Sequence, residues 1–137
     1  MGITFSIEDQ VLFVRPDGVF GDEGAKELYR HKLTLLRGII PSAVVCDLSA
    51  VSDFQISTEL LRTLAARSCR DFVHLVETRH AVIAPQKVAF GLARMFQLLT
   101  DELPWRLQIF RDVESALAWI NDLGDRDPSG DPVAKVG

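Results

Sequence analysis

The sequence predicts an α/β fold: a mixed, mostly parallel five-stranded sheet with an N-terminal β-hairpin and about four helices, in the order ββαβαβαβα. Three observations lead there. Short runs rich in Val, Ile and Leu alternate with segments whose apolar residues recur at helical spacing. Two β-type runs follow one another at the N-terminus, which makes the sheet mixed. Right-handed crossovers then restrict how the parallel strands connect.

Ile3, Phe5 and Ile7 alternate with Thr4, Ser6 and Glu8, the pattern of a half-buried strand. A tight turn at Glu8-Asp9 leads to a second strand over Gln10 to Arg15. Arg15-Pro16-Asp17-Gly18 closes it, because Pro fixes φ and Gly accepts left-handed geometry. Asp22 is a good N-cap for a helix reaching about Arg37, with Ala25, Leu28, Tyr29, Leu33 and Leu36 on one side and Gly38 at its end. Pro41 precedes a continuous apolar strand, Ala43 to Leu48, suited to burial on both faces.

The next helix runs from about Thr58 to Val76. At about 100° per residue, Leu61, Leu64, Ala65, Cys69, Phe72, Leu75 and Val76 share an arc of roughly 140°. Arg62, Arg67, Arg70, Asp71 and His74 form the opposite, solvated side. His80 to Ala84 is the fourth strand, stopped by Pro85. A helix from about Lys87 to Thr100 buries Val88, Leu92, Met95, Phe96 and Leu99, which leaves Phe90 on the polar side beside Arg94 and Gln97. Trp105 to Phe110 is the fifth strand. Asp112 caps a last helix, Val113 to Asp122, that buries Val113, Ala116, Leu117 and Ile120. From Gly124 the composition turns to Asp, Pro, Gly and Ser, so residues 1–123 read as one domain and 124–137 as a disordered tail.

With 137 residues, 47% of them hydrophobic and 25% charged, the chain buries one ordinary core. A formal charge of −4 argues against a general nucleic-acid or anionic-membrane binder, which needs clustered Lys and Arg. No apolar run approaches the roughly 20 residues that cross a bilayer. Neither is there a basic segment followed by an apolar one at the N-terminus, so a cytoplasmic location is the default expectation. Cys46 and Cys69 sit in apolar surroundings and are expected as free thiols, a disulfide between them being the alternative.

The strand-to-helix join over Val44 to Leu64 is where chemistry is expected, because free backbone N–H groups and a positive helix end face outward there. Ser57 and Thr58 stand where the helix begins, as caps or as phosphoacceptors. Asp47 and Asp53 flank the same loop, with Phe54 beside them. Turn and cap roles are the simple reading of these carboxylates. Acid/base work would need a set separation and a shifted pKa, and a divalent metal would need further oxygen ligands. His31, His74 and His80 lie far apart without metal-ligand spacing, and the GxGxxG, Walker and GxSxG patterns are missing. No metal or cofactor is therefore expected. Phe90, with Arg94 at its rim, either folds under a neighbouring loop or contacts a second subunit, a partner or an apolar ligand.

Three stretches carry a resemblance over roughly residues 3 to 121. They are Gly18-Val19-Phe20-Gly21-Asp22, leading to Ala25 and Leu28; Asp47-Leu48-Ser49-Ala50-Val51 with Ser57-Thr58 and Leu60-Leu61; and Phe90-Gly91-Leu92-Ala93-Arg94-Met95 with Ile109-Phe110-Arg111-Asp112 and Ala116-Leu117-Ala118-Trp119. In order and spacing they resemble the STAS domain of bacterial anti-sigma factor antagonists, and its SpoIIAA-like branch of small stand-alone proteins. The resemblance implies a non-enzymatic module, a homodimer, that binds a regulatory protein or a small apolar ligand or lipid. The latter capacity is one that the branch shares with the CRAL-TRIO lipid-transfer fold. Signalling members carry an Asp-Ser-Ser-Gly type motif with a phosphorylated Ser. Gln55-Ile56-Ser57-Thr58-Glu59 stands in its place here without the Asp and the Gly, which tilts the expectation from a phosphorylation switch toward binding. A small enzyme using Asp47, Asp53 and Ser57 is the reading from another class.

Overall fold

The alternation of strands and helices read from the sequence is present in the computed structural model, which describes residues 2–122. The tail reading, residues 124–137, lies outside them. β1 (Gly2–Glu8) and β2 (Val11–Gly21) form an antiparallel hairpin. Asp9 and Gln10 both take positive φ at its turn, the conformation that matches the twist of two-residue hairpins. α1 (Asp22–Gly38), β3 (Ala43–Asp47), β4 (Val51–Gln55), α2 (Thr58–Asp71), β5 (Arg79–Ile83), α3 (Lys87–Leu99), β6 (Arg106–Phe110) and α4 (Val113–Asn121) follow. The sheet runs β1-β2-β3-β5-β6, with β4 paired to the far end of β2, and every pairing except the hairpin is parallel.

The sheet thus has six strands, one more than the sequence suggested. The sequence also placed a closing turn at Arg15-Pro16-Asp17-Gly18, yet β2 continues through it. Pairing of β2 with β3 stops at Val14 opposite Cys46, before Pro16, which has no N–H to offer a ladder. Gly18 takes the expected left-handed φ of 74°, but as part of a register shift that redirects β2 onto β4. β4 itself, Val51-Ser52-Asp53-Phe54-Gln55, is short and incompletely alternating, so its strand signal is weak.

Val44 and Val45 point to opposite faces, and the core divides accordingly. On one face Leu36 of α1, together with Phe72 and Leu75 after α2, packs with Leu12, Val14, Val44 and Trp105. On the other, Ala116 and Ile120 of α4 cover Ala43, Val45, Ala81 and Ile83. α1, α2 and α3 share the first face.

Two helices differ from expectation. α2 ends at Asp71, not Val76: the chain turns so that Phe72 and Leu75 enter the core while Val76 is 63% exposed. α3 is rotated by roughly one residue's angle, about 100°, from the face read in the sequence. Its buried side is Ala89 and Ala93, whose small side chains allow close approach to the sheet, and Val88 is 59% exposed. Val113 of α4 is also exposed rather than buried. Among the described residues, no helix is long and apolar enough to cross a membrane.

Candidate functional site

The register shift in β2 brings the start of α1 against the start of α2, and this corner holds Ser57. Its hydroxyl accepts from the Leu60 N–H at 3.1 Å, which caps α2. The same hydroxyl donates to Asp22 Oδ2 at 3.0 Å, and the Ser57 N–H donates to Asp22 Oδ1 at 2.7 Å. Asp22 therefore does not cap α1, as the sequence suggested. The capping position of α1 is Gly21, and the Asp22 carboxylate bridges to α2 instead. Thr58 is the exposed first residue of α2.

The other acidic candidates make separate local bonds. Asp47 Oδ1 accepts from the Ser49 N–H at 2.9 Å, and Asp53 Oδ2 accepts from the Gln55 amide at 2.9 Å. None of these hydrogen bonds joins Asp47, Asp53 and Ser57 into a set. Gln86, at the start of α3, ties the β3–β4 turn in place by donating to the Val51 carbonyl at 3.1 Å.

Phe90 is half-buried against Leu48, Ala84, Ala89 and Ala93, and the Arg111 guanidinium lies 4.5 Å from its ring centre. Arg94 stays on the surface, donating to Gln97 Oε1 at 2.6 Å. Phe54 points inward and meets Phe20 edge to face at 6.5 Å.

Directly beneath the corner lies a cavity of about 160 Å³ between α1, α2, α3 and the sheet. Its walls are aliphatic and aromatic, among them Phe20, Leu28, Phe54, Leu64, Leu92 and Phe96. Phe54 is the one sequence candidate that lines it; Ser57, Thr58, Asp47, Asp53, Phe90 and Arg94 do not. Four titratable side chains that were not among the sequence candidates for the site do line it: Lys32, Cys46, His80 and Tyr29, whose hydroxyl is taken up by Asp71 Oδ2 at 2.8 Å.

His80 is 3% exposed, and neither of its ring nitrogens has a partner at normal hydrogen-bond geometry among the described residues, although the Thr78 backbone comes close enough to favour its charged form. Burial, and then the charge of Lys32, push its pKa well below the usual histidine value, with the Thr78 backbone opposing only weakly. Its ring lies 4.1 Å from that of Trp105. Lys32 is half-buried, and its ammonium lies 5.4 Å from the Phe72 ring centre and 5.6 Å from that of Trp105. Burial lowers its pKa too, and the one titratable neighbour that favours its charge is the Cys46 thiol. Cys46 is pushed up to about 11 by burial, against the pull of Lys32, so it is a protonated thiol at neutral pH. Cys46 and Cys69 are both free. Among the described residues, no group of three His, Cys, Asp or Glu side chains is arranged to hold a metal ion.

The sequence did carry one signal for this chemistry. At about 100° per residue, Lys32 falls inside the apolar arc of α1 rather than on its polar side.

No family model matches the chain, and no curated protein matches it in sequence. Solved structures do share its architecture. The anti-sigma factor antagonist SpoIIAA in its unphosphorylated form superposes with a TM-score of 0.59 at 12% identity, over 90% of this chain and all (100%) of that one. An anti-sigma factor antagonist from Mycobacterium paratuberculosis gives 0.58 at 18%, over 88% and 94%. A protein from Shewanella loihica with a SpoIIAA-like fold gives 0.56 at 15%, over 87% and 92%. Likeness at such identities speaks for architecture alone, and the architecture is the SpoIIAA-like fold.

Proposed function

We propose that this chain is a non-catalytic binding module that holds a small apolar ligand between its sheet and its first three helices. The observation that carries this reading is the cavity of about 160 Å³ with almost wholly apolar walls. Well-packed interiors leave few voids larger than a water molecule, and apolar cavities near 150 Å³ stay dry and take up benzene-sized guests. The polar groups at the nearby corner are matched to one another by hydrogen bonds, which suits a structural clasp more than an acid/base pair.

Native mass spectrometry of the full-length chain from its own host tests this. A co-purifying small molecule that disappears in the cavity-filling variant Ala93→Phe is the expected result. A spectrum of bare protein, together with no response of cavity methyl signals to added benzene, overturns it.

A second reading is a partner-switching regulator controlled at Ser57. It is favoured by the exposed hydroxyl at the N-terminus of a 14-residue helix, where a phosphate would meet a positive helix end. The same phosphate would repel Asp22 and release the bridge between α1 and α2. An increment of about 80 Da in that spectrum, lost in Ser57→Ala, favours this reading. We extend both readings to self-association, since Val88 and Leu98 present exposed apolar side chains that a second copy would cover.

A further inference from the structure

We infer that the cavity is built for a small amphipathic acid, whose carboxylate sits beside Lys32 and His80 while its apolar body lies against Leu28, Leu64, Leu92 and Phe96. The inference rests on the ligand-binding reading above and names the chemical class of the ligand. An oily guest alone would leave two features of the cavity without a purpose. The half-buried Lys32 ammonium lies over two aromatic rings, and no ion pair or hydrogen bond to it exists among the described residues. The two rings offset part of its lost hydration, but a ring face replaces neither a counter-ion nor a hydrogen-bond acceptor. His80 lines the same cavity with both ring nitrogens unpartnered.

Buried polar groups are nearly always hydrogen-bonded, so an orphaned imidazole beside an unpaired ammonium, both lining one cavity, marks what the cavity is meant to hold. A carboxylate supplies what both lack: a negative charge for the ammonium and acceptor oxygens for the ammonium and an imidazole N–H. Neither Asp47 nor Asp53 lines the cavity, so the chain places no carboxylate of its own from that loop beside Lys32. The dimensions limit the apolar body. A void of about 160 Å³ is close to the size that encloses benzene, which corresponds to a body of about six carbons.

Hexanoate and 1-hexanol, matched in chain length and differing in the head group, are the probes. Each is titrated into the full-length chain and into Lys32→Met, at constant pH and salt, with the methyl signals of the cavity leucines as readout. Lys32→Met nearly conserves volume and is expected to keep the fold. In the wild type, hexanoate is expected to bind roughly tenfold more tightly than 1-hexanol, and Lys32→Met is expected to remove that preference while still taking up 1-hexanol. Equal binding of acid and alcohol to the wild type overturns the carboxylate inference and leaves the apolar-ligand reading standing. So does an unchanged acid preference in Lys32→Met. If neither compound shifts the cavity signals, the ligand-binding reading falls with it. The acid–alcohol comparison in the wild type decides the inference even if the variant does not fold.

Discussion

The corner at Ser57 and the cavity beneath it are built from the same two helices, yet they treat polar groups in opposite ways. At the corner Ser57 makes three hydrogen bonds through its hydroxyl and N–H, two of them to Asp22, and the whole cluster is close to water. In the cavity, Lys32 is half-buried without an ion pair or hydrogen bond among the described residues, and His80 is buried with no partner at normal hydrogen-bond geometry. A surface polar group that is paired locally contributes modestly and can be replaced at modest cost. A buried one without a partner lowers stability all the time, and persists in a chain only if something else offsets the penalty. On the proposed ligand-binding reading, function lies where the polar groups are unsatisfied, not where they are most numerous.

The largest expected effect breaks the comparison from the cavity side. Lys32→Met removes a half-buried, unpaired ammonium and largely keeps the length of the side chain. In the ligand-free chain it is expected to raise the unfolding free energy at pH 7 by about 1–2 kcal/mol, measured by urea denaturation. A loss of stability would show that Lys32 is satisfied in the native state and that cavity and corner do not differ in kind.

The next effect is a pH dependence set by His80. Its folded-state pKa is lowered, so as pH falls the unfolded chain takes up a proton first. More protons bound to the unfolded state mean that stability rises with pH. The contribution is therefore intact above about pH 6.5, the unfolded value, and is lost on acidification below it. Between about pH 6.5 and 5 the loss should approach about 1.4 kcal/mol per unit, before carboxylates begin to protonate. Denaturation curves of wild type and His80→Leu over this range check it: the variant should show a much flatter profile. Identical slopes would mean that His80 finds a partner in solution.

What the sequence made legible follows the same division. Continuous apolar strands and helical arcs announced the α/β order because burial on a face imposes a period that survives local irregularities. The cap at Asp112 was legible as well, since an Asp before an apolar-periodic run has one common use, and it accepts from the Ser115 N–H at 2.8 Å. β4 was not, because its strand character comes from pairing with a β2 segment that the bulge at Gly18 redirects, a tertiary event with no local signature. The face of α3 was misread because alanines carry little weight in a hydrophobic arc, although Ala89 and Ala93 are what allow that helix close to the sheet. Asp22 was read as a helix cap because the partner it actually serves is 35 residues away. Attention to hydroxyls and carboxylates on a loop led to the corner. Attention to a lysine inside an apolar arc would have led to the cavity.

The smallest effect belongs to the corner itself. Ser57→Ala removes the cap of α2 and the side-chain bond to Asp22, and should cost about 1 kcal/mol. Asp22→Ala should cost a similar amount, since it frees both bonds that hold the start of α1 to Ser57. The two residues share a hydrogen bond, so the double variant should cost less than the sum, with a coupling of about 0.5–1.5 kcal/mol. Neither change should alter the preference between hexanoate and 1-hexanol, because neither residue lines the cavity. That independence is the sharpest form of the contrast. The bridge joins the same helices that roof the cavity, so a rigid mechanical link would carry any loosening of the corner into ligand affinity. If Ser57→Ala shifted the affinities for acid and alcohol together, corner and cavity would be one device, with Ser57 setting how tightly α1 and α2 close over the guest.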